Sequence, residues 1–250
     1  MIRRDLHCHT RFCDGSNTPE EMVRAALDKG LSTLGISSHS YTFFDTSYCM
    51  SKEGVLCYLD EMAALKERYQ DKIELLCGVE QDCYSDYPTD RFDYVIGSVH
   101  YIRCNGTYIP IDETPALLID TANRYFCGDL YALCEQYYDT VSTVVERTGC
   151  DIIGHLDLVT KFNEGGRLFD EQHPRYIAAW QNAVDRLLTY SRPFEINTGA
   201  ISRGYRTSPY PSREIAAYIR RRGGTLVLSS DAHRAEDLGS HFDTYESWLS

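Results

Sequence analysis

The chain has no apolar run approaching the roughly 18 residues of a membrane-spanning helix. Its start passes from Met1-Ile2 to Arg3-Arg4-Asp5 without the apolar stretch of a secretory signal. A soluble, cytoplasmic protein without a membrane partner is the expectation. No C-x-x-C pair occurs among its ten cysteines, scattered from Cys8 to Cys150, so reduced and mostly buried thiols are expected instead of a disulfide framework. Basic residues are in deficit, 25 against 37 acidic, for a formal charge of −12. That field repels nucleic acid unless basic groups are gathered locally, so no nucleic-acid partner is expected. No Pro/Gly/Ser-rich linker, low-complexity tract or internal repeat divides the 250 residues, and one domain over 1–250, near the length of one α/β barrel, is expected. With 43% hydrophobic residues, a chain of this size buries roughly 70–75% of its unfolded surface, which excludes disorder as the main state.

What is present is an alternation of short apolar runs with amphipathic stretches. Seven β-like runs are read at Arg4–His7, Thr33–Ser37, Glu74–Gly78, Tyr94–Ser98, Asp151–Gly154, Phe194–Asn197 and Thr225–Ser229. Between them lie helices with legible ends. Thr18-Pro19-Glu20-Glu21 supplies a cap, a first-turn proline and first-turn acids, and Gly30 closes that helix. Ser51 caps a helix through Tyr69, Asp129 one through Arg147, and Ser212 one through Arg222. Arg220-Arg221-Arg222 fall in a last turn, where cations complement the helix dipole. Strand–helix alternation of this kind predicts βα units and a parallel sheet, open or closed into a barrel.

Six of the eight histidines stand just after one of these strands. His7 and His9 follow the first, His39 the second, His100 the fourth, His155 the fifth, and Asp231 with His233 the seventh; Glu80 follows the third. In a parallel barrel the C-terminal strand ends converge on one face, so these residues would surround a single pocket as a multinuclear metal site. His7 and His9, at i and i+2, point the same way and can chelate one ion together. His173, before Pro174, and His241 are read as surface residues.

His7-Cys8-His9-Thr10, Asp14, His39, Gly78-Val79-Glu80, His100, Gly154-His155-Leu156-Asp157 and Ser230-Asp231-Ala232-His233 resemble, in order, the motifs of the polymerase and histidinol phosphatase (PHP) superfamily. Phe12-Cys13-Asp14-Gly15 and Asn197-Thr198-Gly199 leading to Ser208-Pro209-Tyr210-Pro211-Ser212 point to its histidinol-phosphatase branch. The resemblance implies a distorted (β/α)7 barrel of PHP type with three divalent transition-metal ions (zinc, manganese or iron). One ion would be held by His7, His9, Glu80 and Asp231, a second by Glu80, His100 and His155, a third by Asp14, His39 and His233. Asp14 departs from the histidine common at that position, and its extra oxygen favours a harder ion such as manganese.

The resemblance implies hydrolysis of a small phosphate ester, L-histidinol phosphate in histidine biosynthesis. Two ions sharing a water bring its pKa toward neutrality and aim a bridging hydroxide at phosphorus, and the third ion holds a phosphoryl oxygen. Glu80, Asp231 and Arg203 are the candidate catalytic residues; Arg203, Lys161, Asn197 and Tyr101 are the candidate substrate contacts. Asn197 could alternatively orient a ligand. Asp157 could accept an imidazole N–H or face the substrate amine, Tyr41, Phe43, Phe44 and Tyr101 could wall the pocket, and Cys8 and Cys13 flank the first metal motif. The rival readings are a PHP phosphoesterase acting on another small ester or a nucleotide, and a non-catalytic metal-binding PHP module. The segment ending at Trp248-Leu249-Ser250 leaves the last helix of such a barrel short.

Overall fold

A computed structural model describes residues 3–249. Among them, the strands are β1 (Arg4–Asp5), β2 (Thr33–Ile36), β3 (Glu74–Asp82), β4 (Tyr94–Ser98), β5 (Tyr101–Cys104), β6 (Thr107–Pro110), β7 (Ile152–Ile153), β8 (Phe194–Asn197) and β9 (Leu226–Ser229). The helices are α1 (Pro19–Asp28), α2 (Lys52–Tyr69), α3 (Pro115–Phe126), α4 (Leu130–Val141), α5 (Val144–Thr148), α6 (Pro174–Leu188), α7 (Gly199–Ser202), α8 (Arg213–Arg221) and α9 (Phe242–Tyr245). Seven strands pair in parallel in the order β1-β2-β3-β4-β7-β8-β9. Past the ends of β1 and β9 the chain keeps pairing, with His9 N–H donating to Ala232 O at 2.8 Å and Cys8 bridging Ala232. The result is a nearly closed (β/α)7 barrel with helices outside.

All seven predicted strands exist, β4 and β8 with the expected bounds and the others with altered ends. β1 stops at Asp5, because His7–His9 turn toward the seam with Ala232, and β3 runs on to Asp82, because it stays paired with β4 through Asp82↔Ser98. Glu80 therefore lies inside β3, not after it. The stretch expected as one helix from Asp129 to Arg147 is two. Ser142 Oγ and Thr143 Oγ1 donate to the carbonyls of Asp139 and Thr140 at 2.7 Å each, competition that ends the helical ladder there.

Local chemistry accounts for the helix starts. Thr18 and Glu21 form a reciprocal capping box ahead of Pro19, and Met22, Val23 and Ala26 turn inward. His173 is the half-buried N-cap of α6, accepting from Arg175 N–H and stacked on Tyr131 at 3.9 Å, and so is more engaged than a surface residue. The barrel interior below the site is plugged by the Tyr94 ring, whose hydroxyl donates to Leu6 O at 2.5 Å. A Cβ on Gly35 or Gly78 would fall inside that ring, so both positions require glycine for close approach. All ten cysteines are free thiols, six of them buried. No described helix is long and apolar enough to cross a membrane.

Candidate metal centre

The barrel brings the nine candidate ligands to the C-terminal ends of its strands. Glu80 is the hub. Its Oε2 lies 3.2 Å from His7 Nε2, 3.5 Å from His9 Nε2 and 3.0 Å from His39 Nδ1. Its Oε1 lies 2.9 Å from His155 Nε2 and 3.5 Å from His100 Nε2. Asp231 Oδ1 is 3.0 Å from His9 Nε2, 3.7 Å from His7 Nε2 and 3.6 Å from His233 Nδ1. Asp14 closes the outer side, 3.1 Å from His233 Nε2 and 3.7 Å from both His39 Nε2 and His9 Nδ1. Asp231 adopts the left-handed region at φ 49°, which aspartate tolerates better than most residues and which turns its carboxylate into the cluster.

Three sets of donor atoms lie within 4.8 Å of one another: His7, His9 and Glu80; His39, Glu80 and His100; and His9, Asp14, His39 and His233. His9 and His39 each enter two sets, as Glu80 does, so the donors are shared more widely than in the assignment the resemblance implies, where Glu80 alone serves two ions. The chemistry of the cluster fits cations. His7 Nε2, His9 Nε2 and His155 Nδ1 are buried and have no hydrogen-bond partner, a costly state unless the lone pairs are used. Burial, with the rings of His233 and His39, pushes His9 down to about 3, leaving a neutral imidazole suited to ligation. Against the burial penalty, His7, His39 and His100 hold Glu80 well below the carboxylate range, and Arg203 and His7 do the same for Asp231. Against the same burial penalty, Glu195 raises His7 and Glu80 raises His39 and His100, so the carboxylates draw positive charge onto these rings, and carboxylates with imidazoles gathered in this way are a donor set for zinc, manganese or iron.

A second layer fixes these side chains. Glu195 accepts from His7 Nδ1 at 2.6 Å, His155 N–H at 2.8 Å and Asn197 Nδ2 at 3.1 Å. Asp82 accepts from His100 N–H at 3.0 Å and lies 3.3 Å from its Nδ1. Such partners set the tautomer and ring plane of a ligating histidine. Neither residue is among the expected site residues; Glu195 interrupts the apolar run of β8, whereas Asp82 lies beyond the expected end of the third strand at Gly78.

The expected substrate contacts divide. Above the cluster opens a cavity of about 440 Å³ lined by Arg203, Lys161 and Tyr101 among others. Arg203 donates to Asp231 Oδ2 at 2.9 Å and reaches His233 Nδ1 at 2.8 Å. Lys161 Nζ donates to Asp112 O and Oδ2 at 2.7 and 3.1 Å. The Tyr101 hydroxyl donates to Asp45 Oδ2 at 2.7 Å. Asn197, by contrast, is fully buried off the cavity, its amide donating to Glu195 and, at 3.2 Å, to Asp231, while its oxygen accepts from Gly199 N–H. It orients carboxylates and does not touch the cavity. Asp157 is likewise buried, accepting from Ser212 N–H at 2.8 Å, with burial pushing it up to about 6. It serves neither His155 Nδ1, which has no partner, nor the cavity.

Of the aromatics expected as walls, Tyr41, Phe43 and Phe44 stay off the cavity lining; Phe44 packs on Tyr108 at 3.9 Å. Tyr48, Tyr205 and Tyr210, none of which was expected there, take their place. Cys13 Sγ lies 3.6 Å from His9 Nδ1, but burial and Asp14 push its thiol up to about 12, so it stands beside the cluster protonated. Cys8, buried and donating to Gly35 O, is also held protonated by burial and Asp5.

The model of the PHP domain family matches residues 5–199. The chain belongs to the PHP domain family. Its place in the histidinol-phosphatase branch follows from the relatives. A Deinococcus radiodurans protein named a probable histidinol-phosphatase is 30% identical, over 95% of this chain and 89% of its own length. The histidinol-phosphatase of Bacillus subtilis is 26% identical over 98% of both chains. Among solved structures, a Listeria monocytogenes protein superposes with a TM-score of 0.81 at 20% identity, over 97% of this chain and 99% of that one. The histidinol phosphate phosphatase of Lactococcus lactis, crystallised with zinc, L-histidinol and phosphate, gives 0.66 at 20% identity, over 99% and 92%. The PHP barrel thus places its histidine-rich strand ends where the sequence motifs predict.

Proposed function

We propose that this PHP protein is a metal-dependent phosphomonoesterase that hydrolyses L-histidinol phosphate to L-histidinol and inorganic phosphate, as a step in histidine biosynthesis. The observation that carries the reading is the convergence of six histidines and three carboxylates beneath a small-molecule cavity that also holds Arg203. His7, His9, Asp14, His39, Glu80, His100, His155, Asp231 and His233 would hold the ions. Bound there, divalent ions would supply an activated water and neutralise phosphoryl charge. The rest falls to the protein. Glu195, Asp82 and Asn197 hold the histidines and Asp231 in register. Arg203, already directed at the cluster, offers its remaining N–H donors to the phosphoryl oxygens, where charge grows as the ester bond breaks. Lys161 adds a second cation on the same side, and the buried Tyr210 forms part of the wall.

The net charge of −12 supports a small ester over a nucleic acid, because the chain has no extended basic track to follow a phosphate backbone. The reading takes residues 1–250 as one domain working in the cytoplasm. Chelation followed by reconstitution tests it. The purified protein should carry about two to three equivalents of zinc, manganese or iron, lose phosphate release from L-histidinol phosphate when these are stripped, and recover it on their return. Full activity in metal-free protein would overturn the metal-dependent reading.

A further inference from the structure

The cavity above the cluster is lined unequally in charge. Its β7–β8 side contributes the cations Lys161 and Arg203, and its β2–β6 side contributes the carboxylates Asp45, Asp112 and Glu113. Asp112 is paired with Lys161 at 3.1 Å and Arg203 with Asp231 at 2.9 Å. Among the described residues no lysine or arginine pairs with Asp45, although its carboxylate is firmly built. Oδ1 accepts from Ser47 N–H at 3.0 Å and Ser47 Oγ at 2.6 Å, and Oδ2 accepts from Tyr101 at 2.7 Å. These hydrogen bonds outweigh a modest burial penalty and hold the Asp45 carboxyl below its ordinary value. The loop that carries it, residues 41–50, is pinned to the β5–β6 hairpin, with Phe44 stacked on Tyr108 at 3.9 Å and edge-on to Tyr101 at 4.9 Å. Tyr48, 6.2 Å from Tyr101, adds a second ring to the same wall. An oriented anion between aromatic rings, with no internal cation, is a receptor for an external one.

We propose that Asp45 is the specificity-determining residue for the alcohol side of the ester, pairing with a cationic nitrogen of the leaving alcohol while the phosphoryl group lies toward Arg203. This inference rests on the phosphomonoesterase reading above and names what selects its substrate. A site shaped for a charged partner discriminates strongly against esters that lack one.

The test compares kcat/KM of the metal-loaded protein for two cationic esters, L-histidinol phosphate and O-phosphoethanolamine, with that for p-nitrophenyl phosphate. In Asp45→Asn, which preserves shape and an acceptor for Tyr101, the cationic-to-neutral ratio should fall by at least about tenfold, mainly through KM, with metal content as in the wild type. Tyr101→Phe, which keeps the charge but loses the tether, should lower the ratio less. A wild-type ratio in Asp45→Asn would overturn the proposal, as would a wild-type protein with no preference for cationic esters. A wild-type protein that prefers O-phosphoethanolamine to L-histidinol phosphate, with an Asp45-dependent ratio, would contradict the histidinol reading and uphold the role of Asp45.

Discussion

Arg203 spans the two parts of the site, because one guanidinium both donates to the Asp231 carboxylate and faces the cavity where a phosphoryl group would lie. If it grips the transferring group, its loss removes charge stabilisation without removing a donor from the cluster. Arg203→Ala should therefore lower kcat/KM by roughly two to three orders of magnitude, about 3–4 kcal/mol, with metal content maintained. Arg203→Lys should recover only part, since lysine keeps charge but not the two-pronged geometry. Steady-state kinetics with elemental analysis on the same samples decides it. Wild-type kinetics in Arg203→Ala would reduce Arg203 to a loop charge and shift attention to Lys161. At this scale the sequence was most legible where chemistry and position coincide: six histidines at strand ends are too regular for scattered core residues. It was least legible for residues acting at one remove. Glu195 reads only as a break in the apolar run of β8, and Asp82 falls past the expected end of its strand, after the polar pair Glu80-Gln81. Asn197 showed the right position but not its direction, since a strand-end side chain can turn to the cavity or to its neighbours. Asp45 sits in a loop without periodicity, so nothing local marked it.

Among the elements, β strands were readable because their apolar runs are short and bounded, to the residue at β4 and β8, and ends that differ, as at β1 and β3, do so because pairing with a neighbour decides where a strand stops. The β5–β6 hairpin is not among the expected elements although Asn105-Gly106, both at positive φ (50° and 86°), is the dipeptide that two-residue turns favour. α3 is likewise absent from the expected elements although Thr114-Pro115 supplies its cap and first-turn proline. The α4–α5 break was less accessible, since Ser142-Thr143 fits a helix as well as a turn until the side chains choose backbone carbonyls. The packing of β2 and β3 around Tyr94 yields a test at the same scale. Gly78→Ala would place a methyl group inside the Tyr94 ring, which is fully enclosed by strands and tied to Leu6. Overpacking of this kind should cost about 1–3 kcal/mol or more, measured by urea unfolding; a Gly78→Ala protein as stable as the wild type would show that the ring can move aside.

Over the whole molecule, closure of the barrel makes the site. Ligands separated by more than two hundred residues, His7 and Asp231, come within 3.7 Å because the chain past β1 pairs with the chain past β9. The sequence implied such convergence through alternating βα units, but not the seam at Cys8 and Ala232, which is a property of the closed sheet. The same closure sets a cationic side and an anionic side around one cavity, matching an ester with phosphate at one end and positive charge at the other. The central claim, that this metal-loaded cavity is specialised for L-histidinol phosphate, is tested most directly by the ratio of kcat/KM for L-histidinol phosphate to that for p-nitrophenyl phosphate. The account predicts at least about a hundredfold, roughly 2.7 kcal/mol drawn from the non-reacting part of the substrate. Comparable efficiencies for the two esters would contradict it.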